Sequence, residues 1–215
     1  NSKGQLGNGK PRDVIPEFVR ARGIQGASKV CAGLAHSVVL ENQEHHMYVF
    51  GDNSENQLGV SSDDDMIIHP LRIDYLRPLD ADCGDEFTAV ITEKGSVKIA
   101  GKIGLKSFSG NFTCIDSKND CQSVASGSSH IVVLTQKGDV RVFGTCVCCL
   151  FNSLSLSLSL PDSLTSTHNN NNNNNTGQGW AACCETNTGQ KYDETKPVKG
   201  LSKVVQVAAG SSHSM

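Results

Sequence analysis

Short apolar runs recur along the chain, each broken by glycine or by a polar turn. They include 38–40, 47–51, 89–91, 96–101, 131–134 and 139–144. Their shortness and their content of valine, isoleucine, phenylalanine and tyrosine predict strands, not helices. Glu93-Lys94-Gly95 and Gln136-Lys137-Gly138 separate successive runs and read as hairpin turns. Along 130–134, His130, Val132 and Leu134 fall on one face and Ile131 and Val133 on the other. Both faces are apolar, which predicts strands covered from two sides.

The runs belong to a repeat. The pattern small-x-Gly-x-x-His followed by an apolar strand occurs at Gly33/His36 and Gly127/His130 and begins again at Gly210/His213. A further copy has Gly84 with Phe87 in the histidine place. Each second strand ends on a glycine: Gly51, Gly101 and Gly144. After Gly51 comes Asn53-x-x-x-Gln57-Leu58-Gly59, and the chain opens on a copy of it, Asn1-x-x-x-Gln5-Leu6-Gly7. Gly4 in one copy corresponds to Asn56 in the other, so this turn is expected to hold a residue at positive φ. A proline-led apolar segment follows at Pro16, Pro70 and Pro197. The second copy departs most, with Lys102-Ile103-Gly104-Leu105 in place of the asparagine–glutamine turn, and it reads as a degenerate unit.

The signature glycines stand roughly 50 residues apart, the period of a propeller blade with several short strands. No Trp-Asp pair and no Gly-Gly doublet occurs, which argues against the WD and kelch classes. The ordered set of features resembles the regulator of chromosome condensation repeat family, over nearly all of the chain except about 146–173. The resemblance implies an all-β fold: a partial β-propeller of four-stranded antiparallel blades, about four of an expected seven. The chain opens and closes inside a repeat, so it is expected to be a piece of a larger protein.

From Gly127 to Gly210 the interval runs far over period. The excess contains a Ser-Leu alternation and the asparagine run 169–175, a low-complexity segment. Removing 146–173 restores the period and joins Phe143-Gly144-Thr145 to Asn174 in the form of Phe50-Gly51-Asp52-Asn53. The expected organisation is therefore propeller repeats over 1–145, an insert over 146–173, and the repeat resumed over 174–215. Ser-Leu repetition is what a TC-dinucleotide tract encodes, so the insert reads as a translated intron, with a genuine loop at a blade turn as the alternative.

Composition narrows the chemistry. With 19 basic and 22 acidic residues the net charge is −3, which argues against a binder dominated by phosphate contacts, and no direct nucleic-acid site is evident. No run approaches the ~18 apolar residues of a membrane span. Nine irregularly spaced cysteines favour a reducing compartment, cytoplasmic or nuclear. The stretch from Gly4 to Pro11 nearly matches a phosphate loop, but Pro11 supplies no hydroxyl and the parallel copy lacks Gly-Lys. Cys146, Cys148, Cys149, Cys183 and Cys184 lack the spacing of zinc knuckles, and 63–65 lacks the ligand alternation of a calcium loop. Glu44-His45-His46 lies between two strands without a metalloprotease motif. The sequence thus offers no catalytic, cofactor or metal residues. The histidines recur with the repeat, which marks them, with Gly33, Gly51, Gly84, Gly101, Gly127, Gly144 and Gly210, as a structural signature.

The expected function is a protein-interaction module within a larger regulatory or scaffold protein. The resemblance also implies an alternative, guanine-nucleotide exchange on a Ran-type small GTPase, which works by differential affinity and needs no catalytic triad. A photoreceptor of the plant UV-B kind would need clustered tryptophans, and only Trp180 is present.

Overall fold

The computed structural model describes residues 1–144 and 196–214, apart from 12, 13, 19, 22, 42–44, 63, 199, 202 and 213. Among the described residues, twelve strands form three four-stranded sheets, each a simple antiparallel meander. Blade 1 comprises β1 (Ala27–Ala32), β2 (His36–Glu41), β3 (Met47–Asp52) and β4 (Met66–Ile73). Blade 2 comprises β5 (Pro78–Cys83), β6 (Phe87–Thr92), β7 (Val97–Ile103) and β8 (Lys106–Asp116). Blade 3 comprises β9 (Cys121–Ser126), β10 (His130–Thr135), β11 (Val140–Gly144) and the short β12 (Lys196–Pro197). The described residues contain no helix, and so none long and apolar enough to cross a membrane.

Neighbouring blades meet through their first strands, β1 against β5 and β5 against β9. This puts β1, β5 and β9 innermost and the proline-bearing β4 and β12 on the outer edge. An edge is where a residue without an N–H costs no ladder bond.

The apolar cores lie between blades. Val38, Leu40, Met47 and Val49 of blade 1 pack on Ala81, Cys83, Val90 and Ala100 of blade 2. Phe87, Ala89, Ile91 and Ile99 of blade 2 pack on Val124, Ile131, Val133 and Phe143 of blade 3. Alternate residues of β6 therefore serve different cores, which is why its two faces are both apolar. Val132 and Leu134 face onward to Val204 and Val207, where a following blade would stand.

The second copy, degenerate in its signature, is not degenerate in architecture. It forms a full four-stranded sheet because a tight turn with Gly104 at φ 60 joins β7 directly to the long β8. Where about four units were expected, the described residues give three complete blades. A preceding turn (1–10) docks on blade 1, and the segment 203–212 runs beside blade 3. The insert 146–173 and the junction to 174 lie outside the described residues.

Candidate functional site

Each signature glycine lies under the ring three residues on. A Cβ at Gly33 would stand 2.2 Å from His36 Cε1, at Gly84 2.0 Å from Phe87 Cε1, and at Gly127 2.2 Å from His130 Cε1. The backbone closes the turn in the same way each time: the N–H of Gly33, Gly84 and Gly127 donates to the carbonyl of His36, Phe87 and His130 at 3.0, 2.9 and 2.8 Å. The strand-ending glycines sit opposite in register, Gly51 facing His36, Gly101 facing Phe87 and Gly144 facing His130. All three have positive φ and press on the backbone before the ring, Gly51 on the Ala35 carbonyl at 2.6 Å from its would-be Cβ. Gly210 meets Gly127 through its carbonyl; His213 lies outside the described residues.

The histidine reaches into the next blade. His36 is buried, and its Nε2 lies 3.1 Å from Thr88 Oγ1. The Thr88 hydroxyl donates its one proton back to the Gln57 carbonyl at 2.7 Å. The hydroxyl must then accept from His36, so the ring carries its proton on Nε2. Burial lowers the His36 pKa to about 4, outweighing opposite pulls from the Asp52 carboxylate and the Phe87 backbone. A neutral Nε2–H ring, donating to a hydroxyl whose proton is already committed, is the reverse of a base activating a nucleophile. The contact is a joint, not a catalytic pair.

The joint repeats. Ser37, the counterpart of Thr88, donates to the Gln5 carbonyl at 2.8 Å, and His130 Nε2 lies 2.9 Å from Ser214 Oγ. The turn that supplies the glutamine carbonyl is self-capped: Asn53 Oδ1 accepts from the Leu58 N–H, as Asn1 Oδ1 does from Leu6. Gly4 and Asn56 have φ 78 and 62. In the stretch resembling a phosphate loop, the N–H groups of Gly4, Gly7 and Gly9 donate to the carbonyls of Asn1, Gly4 and Ile68.

Sequence reasoning missed two features. On the innermost strands, Asp80 bonds Lys29 at 2.6 Å on one side and Ser123 Oγ and the Val124 N–H, both at 2.9 Å, on the other. Between blades 2 and 3, buried Arg141 holds Asp116 at 2.9 Å and also Asp120. Hydrogen bonding from Arg141 holds the Asp120 carboxyl below its ordinary range, while burial pushes the Cys121 thiol up to about 12. The signal for Arg141 was a charge at a strand position where its neighbours are apolar.

His45 and His46 stand before β3; His45 Nδ1 is 3.0 Å from Glu93, and Glu44 is outside the described residues. Asp64 and Asp65 lie in the loop after the asparagine–glutamine turn, where the Asp65 carbonyl accepts from the Asn53 N–H; Asp63 is outside the described residues. Cys146, Cys148, Cys149, Cys183, Cys184 and Trp180 are also outside them. Among the described residues no group of His, Cys, Asp and Glu could hold a metal ion.

No family model matches the chain. Curated relatives do. The Drosophila melanogaster protein named regulator of chromosome condensation is 33% identical over 152 residues, covering 66% of this chain and 28% of that protein. The Mus musculus secretion-regulating guanine nucleotide exchange factor is 31% identical over 165 residues, covering 67% and 34%. The chain belongs to the regulator of chromosome condensation repeat family. Solved structures agree on the fold. Human WBSCR16 matches with a TM-score of 0.63 at 18% identity, over 94% of this chain and 49% of that one. Prp20p from Saccharomyces cerevisiae matches with 0.62 at 16%, over 98% and 48%. This member of the repeat family thus spans about a third or less of those curated relatives and about half of the solved chains.

Proposed function

We propose that the chain is part of a protein-interaction module of a larger regulatory or scaffold protein, working in the cytoplasm or nucleus. The observation that carries this reading is at the end of the blades opposite the signature turns. There Lys94, Lys118, Lys137 and Lys203 stand exposed, none paired with a described carboxylate. A Cβ at Gly95 would lie 2.7 Å from the Asn119 carbonyl carbon, and one at Gly138 2.8 Å from Lys203 Cα. Each lysine-bearing turn thus abuts the connection to the next blade, and the lysines fall in two neighbouring pairs. Most carboxylates at this end are engaged, Glu93 by Arg77 and His45, and Asp116 and Asp120 by Arg141; Asp139 is the exception. Unneutralised charge on a rigid scaffold favours an acidic protein surface and raises the rate of encounter.

The experiment compares proteins co-purified with the complete protein and with its K94E/K118E/K137E/K203E form. Partners lost on charge reversal and released by moderate salt support the reading; an unchanged partner set overturns it.

A second reading is guanine-nucleotide exchange on a Ran-type small GTPase. It is favoured by the mouse relative, a secretion-regulating guanine nucleotide exchange factor, and by Prp20p, which binds Gsp1p and histones. Mixing the complete protein with fluorescent-nucleotide-loaded Ran decides it: accelerated release is expected, and release at the spontaneous rate removes it.

A further inference from the structure

Two cysteines stand on the contacting innermost strands of blades 1 and 2 and border the same core. Cys31 stands two residues before Gly33 on β1, and Cys83 stands one residue before Gly84 on β5. The same two positions one blade further on are Asp82 and Ser126. There the Asp82 carboxylate accepts from the Ser126 N–H at 2.6 Å. The propeller geometry therefore aims the side chain two before one signature glycine at the residue just before the next. At the junction of blades 1 and 2 this rule aims the Cys31 side chain at Cys83, on the facing innermost strand. Cys31 also packs against the core that contains Cys83, and both are free. The strands cannot slide apart locally. Lys29 holds Asp80 at 2.6 Å, and Gly33 lies so close to the Gly84 carbonyl that an added Cβ would come within 2.3 Å of it. A disulfide needs Cα atoms within about 7 Å and side chains pointing at each other.

We propose that Cys31 and Cys83 are an oxidation site, closing a reversible disulfide that locks blade 1 to blade 2 when the protein meets a peroxide. Cys31 is half-buried and Cys83 buried, so Cys31 meets the oxidant first. Its thiolate attacks one peroxide oxygen; the S–O bond forms, the O–O bond breaks, and two electrons pass from sulfur to give a sulfenic acid and hydroxide. The Cys83 sulfur then attacks the Cys31 sulfur. The S–S bond forms, the S–O bond breaks, and the departing hydroxyl leaves as water with the Cys83 proton. Burial pushes the Cys83 thiol up, so this proton is present to be carried away. Two thiols and one hydrogen peroxide give one disulfide and two waters, and a small-molecule dithiol reverses the product by exchange.

The test treats the full chain with hydrogen peroxide, blocks remaining thiols, and maps peptides without reduction. A Cys31–Cys83 linked peptide is expected, abolished by dithiothreitol. The thermal unfolding midpoint of the oxidised form should rise by about 5–10 °C. Cys31→Ser should remove both the linked peptide and the shift; Cys83→Ala repeats the comparison with an apolar replacement, and the wild-type map stands if either variant fails to fold. Recovery of Cys83 as an unlinked thiol, beside Cys31 as sulfinic acid or linked elsewhere, overturns the proposal.

Discussion

His36 and Thr88 are joined across two blades, Nε2 to Oγ1 at 3.1 Å, with the threonine proton passed on to the Gln57 carbonyl. The next junction has neither polar member. Phe87 replaces the histidine, Ile131 the hydroxyl residue, and both are fully buried in one core. The asparagine–glutamine turn is missing from blade 2 as well. The joint is therefore exchanged as a set, which follows from the cost of leaving one buried polar partner unpaired. Thr88→Val should cost about 1–3 kcal/mol, because it strands both the His36 N–H and the Gln57 carbonyl. His36→Phe added to Thr88→Ile should recover the part of that loss that comes from the stranded His36 N–H, while the Gln57 carbonyl stays unpaired. Urea unfolding of His36→Phe, Thr88→Ile and the double variant measures the coupling, and strict additivity would sink the idea.

Acid should weaken this joint first. An unfolded histidine takes up a proton near pH 6.5, while folded His36 resists until about pH 4. The unfolded state binds more protons in that window, so stability is complete above pH 6.5 and declines toward pH 4 by on the order of 3 kcal/mol. The urea midpoint followed from pH 7 to pH 4 measures the decline. His36→Phe should flatten it, and an unchanged slope in that variant contradicts the assignment.

Gly33→Ala should be among the most damaging single changes in the chain. The new methyl meets the His36 ring at 2.2 Å and the Gly84 carbonyl at 2.3 Å, and neither can retreat. A loss of about 3 kcal/mol or more is expected. Gly23→Ala is the control. Its φ of 84 strains any side chain, but nothing lies within 4 Å, so about 1 kcal/mol should suffice. Calorimetry on the two variants separates crowding from backbone strain.

Arg141→Ala leaves Asp116 buried without its cation, at a cost of about 3–5 kcal/mol. The Asp120 carboxyl, held low by Arg141, contributes stability that is present above the ordinary carboxylate pKa and lost as pH falls through its lower folded value. The acid limb of unfolding below pH 4 should therefore shift upward in Arg141→Ala. Circular dichroism against pH reads the shift.

β11 pairs with β12 at Arg141–Pro197 and Val142–Lys196, across a connection of about 51 residues. Deleting 146–173 shortens it to about 23 and lowers the loop-closure cost by about 0.7 kcal/mol. The deleted form should unfold at equal or slightly higher urea. A large loss of stability would show that the segment is integral to blade 3.

The propeller was readable from the order of small motifs because each motif solves a local steric problem. Gly33 makes room for a ring, Gly51 passes the chain through positive φ, and Asn56 does what Gly4 does. These demands are met within a few residues and leave a direct trace. What stayed hidden involves residues far apart in the chain. Nothing local says that Thr88 answers His36, that Arg141 collects one aspartate from the end of β8 and one from the connection after it, or that Cys31 stands by Cys83. Blade 2 was misjudged for a related reason. Loss of the signature turn removed the pattern, but Gly104 supplies another way to bend the chain, and the strand pairing survives.

The hydroxyl that completes each histidine belongs to the following blade, so the natural unit of inheritance in this fold is a seam. Copying a blade alone would carry half of two seams and leave buried groups mismatched on both sides. A recombination point after the hydroxyl residue moves a seam whole. Polar and apolar seams can then alternate around the ring, but a histidine cut from one cannot be grafted opposite an isoleucine from the other.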